Sequence, residues 1–248
     1  MFWTQSEKNI WVVGHRGMRA HYPENTMLSF KKAIETGVDG IETDIHMTAD
    51  GQLILMHDTE LTRTTNGTGN VEAYTFAELQ ELDAGIKFSA EFAGQKVPLF
   101  EDLLKIIDNP AFMLNVEMKD YRKEAIDRTV ALLKKYDFSD RCVIACFNAE
   151  VTTYVHERYG MKTQGFPAHM VKKFSPHTEE HYYSVGIGMD DLTPGLCADY
   201  RVHGIDPWCW CPDTEEAVEK AIRSTSSLYT CNAPEVALGI LRKRGLHA

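Results

Sequence analysis

Strand-like and helix-like segments alternate along the whole chain, about eight times, and no other feature restricts the fold as much. Residues 10–13 form a short apolar run that predicts a first strand. Residues 25–36 follow as a helix, with Leu28, Ala33 and Ile34 among its inward positions. Asn25 is its expected N-cap, because a cap oxygen accepts an orphan backbone N–H. Gly37 is its expected stop, because glycine enters the left-handed region without steric cost. Residues 40–47 predict the second strand, Asp50-Gly51 a tight turn, and residues 53–56 a returning partner. A helix over 98–107, a third strand over 112–118 and its helix over 123–135 come next. Residues 141–146 lead into a helix that starts near Ala149, and 162–166 and 183–187 read as weaker strands. Strands over 204–210 and 228–231 are followed by helices over 214–223 and 234–243, with Pro234 suited to a first helical turn.

Repeated strand–helix alternation implies a parallel sheet covered by helices. That many units in 248 residues favour a closed (β/α)8 TIM barrel over an open doubly wound sheet. No GxGxxG loop opens the first unit, which removes the main support for a dinucleotide-binding sheet. The stretch between His57 and Pro98 exceeds an ordinary connection. It holds the turn-rich Asn66-Gly67-Thr68-Gly69-Asn70 and a short helix announced by Thr75 and Glu78 at capping-box spacing. Residues 58–97 are therefore expected as a small insertion over one end of a single domain spanning 1–248.

The formal net charge of −10 argues against a broad nucleic-acid or anionic-membrane surface. An anionic substrate then needs local positive charge, from a metal ion or a few placed cations. Six cysteines form no dense disulfide framework, so reduced thiols in a cytosol-like compartment are expected. Cys209 and Cys211 are one residue apart, which fits neither a redox CxxC nor a common zinc spacing. No apolar run of about 18 residues predicts a membrane span. No basic region precedes a long apolar stretch at the N-terminus, so no secretory signal and a cytoplasmic location are expected.

Gly14-His15-Arg16-Gly17 follows the first strand, at the end where barrel enzymes place their active sites. Side chains alternate across a strand, so Glu42 and Asp44 share one face and Ile41 and Ile45 the other. Two carboxylates aimed into a barrel are costly without compensation. A divalent cation resolves the cost, and oxygen-only ligands favour Mg²⁺ or Ca²⁺ over zinc. On the third strand Glu117 and Lys119 share a face, with Asn115 below them. Glu117 can complete a metal site and Lys119 can meet a phosphate oxygen as a point charge. The competing reading is a set of structural ion pairs at the barrel rim. His57 follows the returning strand. Histidine titrates near neutrality, so His15 and His57 can serve as general base and general acid. Arg16 can clamp two phosphate oxygens with its planar fork. The inventory is that of a metal-assisted phosphodiester cleavage. Trp208 and Trp210 share one strand face, so either can line a pocket, with ordinary core packing an equal alternative.

The ordered set His15-Arg16-Gly17, Pro23-Glu24-Asn25-Thr26, Glu42-Thr43-Asp44, Thr48-Ala49-Asp50-Gly51, His57-Asp58 and Glu117-Met118-Lys119 resembles the glycerophosphodiester phosphodiesterase family. The likeness is dense over the first half of the chain and thins afterward. It implies a (β/α)8 barrel with an insertion after its second strand. It implies one divalent cation held by Glu42, Asp44 and Glu117, an acid/base pair in His15 and His57, and Arg16 and Lys119 on the phosphate. The substrates so implied are small glycerophosphodiesters, cleaved to glycerol 3-phosphate and an alcohol, commonly through attack by the substrate's own neighbouring hydroxyl. Neither nucleic acid nor stable membrane insertion is implied. Cys146-Phe147-Asn148 looks like the family's Ser-Phe segment with cysteine replacing serine, which makes Phe147 a substrate-binding candidate. The C-terminal third departs from the pattern. Trp208-Cys209-Trp210-Cys211 stands where Trp-Thr-Val-Asn is expected, and Thr230-Cys231-Asn232-Ala233-Pro234 where Thr-Asp-x-Pro is expected. These changes bear on pocket shape, with Trp208 as the candidate contact. A lysophospholipase D or cyclising phospholipase D on the same barrel, and a non-catalytic phosphoester-binding barrel, are the alternatives. The leaving alcohol, the choice between Mg²⁺ and Ca²⁺, the division of labour between the histidines and the oligomeric state are left open.

Overall fold

The computed structural model describes residues 10–248. The sequence reading for a secretory leader rests partly on residues 1–9, which lie outside that range. Strand β1 (Trp11–His15) leads into helix α1 (Met27–Thr36), then β2 (Gly40–Met47) and the short β3 (Leu53–Leu55). Helix α2 (Phe76–Leu79) lies in the long segment that follows, and α3 (Phe100–Ile106) ends it. The chain continues through β4 (Met113–Met118), α4 (Lys123–Lys135), β5 (Cys142–Ala145), α5 (Ala149–Tyr159), β6 (Lys162–Gly165) and β7 (Ser184–Gly188). It closes with α6 (Pro194–Val202), β8 (Asp206–Trp210), α7 (Glu215–Arg223), β9 (Leu228–Cys231) and α8 (Pro234–Arg244).

Eight of these strands pair in parallel, from β1 through β2, β4, β5, β6, β7, β8 and β9 and back to β1. The sheet is a closed (β/α)8 barrel. Strand β3 pairs antiparallel with β2 outside the ring, Ile45 opposite Leu55. Register sets the depth of each inward side chain. Val13, Met113, Val143, Trp208 and Leu228 form one apolar cluster. Two residues further along β4, the Asn115 amide nitrogen donates to Gln164 Oε1 at 2.7 Å. At the mouth, His15 is opposite Glu42, and Asp44 is opposite Glu117. The outward faces of the strands, Ile41, Ile45, Leu114, Val116 and Ile144 among them, bury against the helices in the main core.

Helix α1 is capped by Thr26, whose hydroxyl accepts from the Ser29 N–H at 3.2 Å, and stops at Gly37 with φ 82°. Asn25 is therefore not the cap. It lies one residue outside the helix with φ 53°, and its side chain is committed elsewhere. Helix α3 begins at Phe100, two residues later than expected, because Pro98 still offers its carbonyl to the Leu55 N–H. Between β6 and β7 the described residues hold only two 3₁₀ turns, Ala168–Met170 and Thr178–His181. Helix α6 was not anticipated, although Thr193 as cap and Pro194 in the first turn mark its start.

The segment between β3 and α3 builds a small apolar cluster of its own from Ile54, Met56, Leu61, Val71, Leu79, Ala84 and Val97. Its helix α2 carries the expected Thr75–Glu78 capping box. No helix among the described residues is long and apolar enough to cross a membrane. All six cysteines are free thiols, five of them buried.

Candidate active site

The turn after β1 is forced by its glycines. A Cβ on Gly14 would lie 2.4 Å from the Gly17 carbonyl oxygen. Gly17 has φ 87°, and a Cβ there would meet Ser29 at 2.4 Å. Between them Arg16 is itself left-handed, at φ 53°. A non-glycine residue in this region costs about 1–3 kcal/mol and persists only when its surroundings fix it. The Arg16 N–H donates to the Glu42 carbonyl at 2.9 Å and to Glu42 Oε2 at 3.0 Å. Its guanidinium then turns back over the barrel mouth, with Nη1 2.9 Å from Glu24 Oε1 and Nε 3.2 Å from Asp44 Oδ2. Asn25 is held in the same way, its N–H donating to the Arg16 carbonyl at 3.0 Å. The Asn25 amide donates to Asp44 Oδ2 at 2.9 Å and accepts from the Thr43 hydroxyl at 2.8 Å.

Glu42, Asp44 and Glu117 converge, each offering an oxygen within 4.8 Å of the other two. Lys119 Nζ is 3.3 Å from Asp44 Oδ1 and is bonded to Glu117 Oε1. Burial and the Asp44 charge push the Glu42 carboxyl well above its usual range. Burial likewise pushes Glu117 up to about 7, against the pull of Lys119. Burial acts on Asp44 too, but Lys119 and Arg16 outweigh it and hold that carboxyl low. Asp44 Oδ1 is buried without a hydrogen bond, although Lys119 stands at ion-pair distance. A trio of buried oxygen ligands with one orphaned acceptor, two of whose members would otherwise favour protonation, fits a hard divalent cation.

The two histidines line the same cleft, which encloses about 150 Å³. His15 Nδ1 is 2.6 Å from Asn232 Oδ1, and Nε2 is 3.7 Å from Glu42 Oε2. Asn232 Nδ2 donates to Asp213 Oδ2 at 2.5 Å. Asp213 Oδ1 also accepts the Asn232 and Ala233 N–H groups at 2.7 and 3.1 Å. A carboxylate only accepts, so the amide NH₂ must face Asp213 and the amide oxygen must face His15. His15 then carries its proton on Nδ1 and leaves Nε2 as the basic nitrogen. Burial and the Arg16 charge push His15 down to about 3, so the ring is neutral near pH 7. His57 has the same arrangement, with Nδ1 2.6 Å from Asp58 Oδ1. Burial lowers its pKa despite Asp44 nearby. Asp58 is bonded in turn to Arg63, and Arg63 reaches Glu24 through two hydrogen bonds of 2.7 and 2.9 Å.

Phe147, Phe166 and Trp210 give the cleft an aromatic wall, with the Phe147 and Phe166 rings stacked. Lys119 Nζ lies 5.7 Å from the centre of the Phe147 ring. The structure thus brings His15, His57, Arg16, Lys119, Glu42, Asp44, Glu117 and Phe147 together. Trp208 is not with them. It is 1% exposed in the apolar layer below, opposite Leu228, and its indole N–H donates to Asp206 Oδ2 at 2.9 Å. Trp210, one layer higher and opposite Thr230, occupies the cleft instead. Sequence reasoning also missed the support for the histidines. The contact between Asp213 and Asn232 joins two loops, and no local pattern announces it. Glu24 was visible only as part of a motif, and Asn25 as part of that motif and as an expected helix cap.

Comparison with known proteins identifies the family and the fold. The model of the Glycerophosphoryl diester phosphodiesterase family matches residues 15–187. A glycerophosphodiester phosphodiesterase from Caldanaerobacter subterraneus is 32% identical over 245 residues, covering 94% of this chain and 98% of that protein. Among solved structures, an Oleispira antarctica phosphodiesterase in complex with the product sn-glycerol-3-phosphate superimposes with a TM-score of 0.84, at 22% identity over 94% of this chain and 96% of that one. A glycerophosphodiester phosphodiesterase from Agrobacterium tumefaciens gives 0.79, at 24% identity over 93% of this chain and 99% of that one. These two likenesses concern the fold; the family match and the full-length relative carry the assignment. The chain belongs to the glycerophosphoryl diester phosphodiesterase family and is a phosphoric diester hydrolase.

Proposed function

We propose that the protein hydrolyses small glycerophosphodiesters to glycerol 3-phosphate and an alcohol, with His15 and His57 carrying the proton transfers. The observation that carries this reading is the pair of imidazoles in one cleft, each with Nδ1 engaged by an oxygen, beside three buried carboxylates and two cations. Neutral Nε2 atoms suit one ring to take a proton from a hydroxyl while the other ring, once protonated, delivers one to the leaving oxygen. Arg16 and Lys119 bind the phosphate oxygens, the guanidinium by its fork and the ammonium as a point charge. Phe147 and Trp210 pack against the carbon skeleton of the substrate and keep water from that side.

Glu42, Asp44 and Glu117 would hold one divalent cation, Mg²⁺ or Ca²⁺ by the chemistry of the ligands. Such an ion, when bound, neutralises phosphate charge. Asn25 keeps Asp44 aimed at the cluster through its hydrogen bond. The chain acts as one barrel domain, and residues 58–97 insert over the His57 side of the mouth. The test is release of glycerol 3-phosphate from glycerophosphocholine with added Mg²⁺ or Ca²⁺. Hydrolysis abolished by EDTA, and reduced about 10²–10⁴-fold in His15→Ala and in His57→Ala, is expected. Near-full activity in either variant would remove that histidine from the mechanism. No EDTA-sensitive hydrolysis of any glycerophosphodiester would leave a binding barrel.

A further inference from the structure

A second cavity, of about 260 Å³, lies beside the cleft and belongs to no step described above. Arg19, Arg63 and Lys87 line it together with a single carboxylate, Glu24. That surplus is notable in a chain of net charge −10. Glu24 is already shared, since Arg16 donates to it from the cleft side and Arg63 from the cavity side. Arg19 stands 3.6 Å from the same carboxylate, beyond hydrogen-bond distance. Lys87 has no ion-pair partner among the described residues. Thr64, in the same wall, has a buried hydroxyl with no hydrogen-bond partner.

The wall that carries Lys87 is built, not loose. Asp83 accepts from the Gly85 and Ile86 N–H groups at 2.8 and 3.0 Å, and from Gly94 at 2.7 Å. Gly85 packs so closely that a Cβ would lie 1.9 Å from the Phe92 carbonyl. Phe92 in turn meets the Tyr22 ring of the β1 loop edge-on at 5.7 Å. Two loops are thereby clamped around a positive hollow that begins where Glu24 joins Arg16.

We infer that this cavity is a subsite for a second phosphate group, borne by the alcohol of a glycerophosphodiester whose scissile phosphate sits at Arg16. The inference rests on the hydrolytic reading for that placement. The aromatic wall of Phe147, Phe166 and Trp210 offers no charge to such a group, whereas the cavity behind Glu24 offers Arg19, Lys87 and the Thr64 hydroxyl. Lys87, exposed, and Arg19, half-buried, also raise the local concentration of the more highly charged substrate.

Titration calorimetry with Mg²⁺ present tests it without turnover, using the monoesters inositol 1-phosphate and inositol 1,4-bisphosphate. The bisphosphate is expected to bind roughly tenfold tighter, as hydrogen bonds to a charged group of this kind allow. The gap should close in the Arg19→Gln/Lys87→Gln double variant and shrink with added salt. Equal affinity in the parent protein, no measurable binding of either ligand, or a gap that survives the double substitution would overturn the subsite. Turnover of glycerophosphoinositol is measured in parallel. Turnover without discrimination removes the subsite and leaves the proposed function. Discrimination without turnover of any diester removes the proposed function and leaves the subsite.

Discussion

Asp213 acts on His15 without touching it. Its carboxylate turns the Asn232 amide, and the amide oxygen then holds the imidazole proton on Nδ1. Asp213→Ala frees that amide and leaves His15 to sample the wrong tautomer. The expected result is a fall in kcat of about tenfold or more with KM little changed, the signature of an orienting group rather than a binding one. Asp213→Asn, which still presents an oxygen to the Asn232 NH₂, should recover much of the loss. An unchanged kcat in Asp213→Ala would show that His15 needs no such support. At this scale the sequence was informative where a period sufficed. Alternation along β2 and β4 put Glu42, Asp44 and Glu117 on inward faces. The same rule gave Trp208 and Trp210 one face but no depth. Depth comes from pairing with β9, where Trp208 meets Leu228 in the core and Trp210 meets Thr230 at the mouth. Asn25 and Thr26 are both good caps, and only the left-handed backbone at Asn25 decides between them.

Elements were legible where their ends carry capping chemistry. Gly37 closes α1, the Thr75–Glu78 box opens α2, and Pro234 opens α8 as expected. No helix was read between β6 and β7, and the described residues hold only two 3₁₀ turns there. Helix α1 matters to the site because Ser29, in its first turn, receives the Met18 N–H at 2.8 Å and donates to the Arg16 carbonyl at 3.1 Å. Thr26→Ala removes the cap hydrogen bond on which that turn rests. A loss of about 1 kcal/mol is expected, which for a chain of this length lowers Tm by about 2–4 °C in a thermal melt. A Tm unchanged within 1 °C (about 0.3 kcal/mol) would mean that α1 is fixed by packing alone.

At the far end of the barrel, the start of β1, the turn before β2 and the segment after α8 are tied together. Asp39 Oδ2 accepts the Val12 N–H at 2.8 Å and meets His247 Nε2 at 2.9 Å, while the Ile10 N–H donates to the Leu246 carbonyl at 2.8 Å. The hydrogen bond to Asp39 raises the His247 pKa above its ordinary value. A raised value means that folding favours the protonated ring. Its contribution is therefore complete below the unfolded value of about 6.5 and is lost as pH rises through the folded one. Urea melts of the parent protein and His247→Gln should differ most near pH 5 and converge in mildly alkaline buffer. A difference that grows with pH would contradict the assignment. Barrel closure itself was legible from the count of strand–helix repeats, since parallel strands with short crossovers have few other arrangements at this length. The basic cavity was not, because Arg19, Arg63 and Lys87 are scattered in sequence and meet only when the insertion folds over the β1 loop.

On the proposed reading, three inward carboxylates and two imidazoles serve one reaction site. The most direct measurement is a crystal structure with Ca²⁺ and glycerol 3-phosphate bound. A single ion coordinated by Glu42, Asp44 and Glu117 is expected, with the phosphate on Arg16 and Lys119 and within hydrogen-bond reach of both His15 and His57. An ion bound elsewhere, or a phosphate out of reach of either histidine, would contradict it.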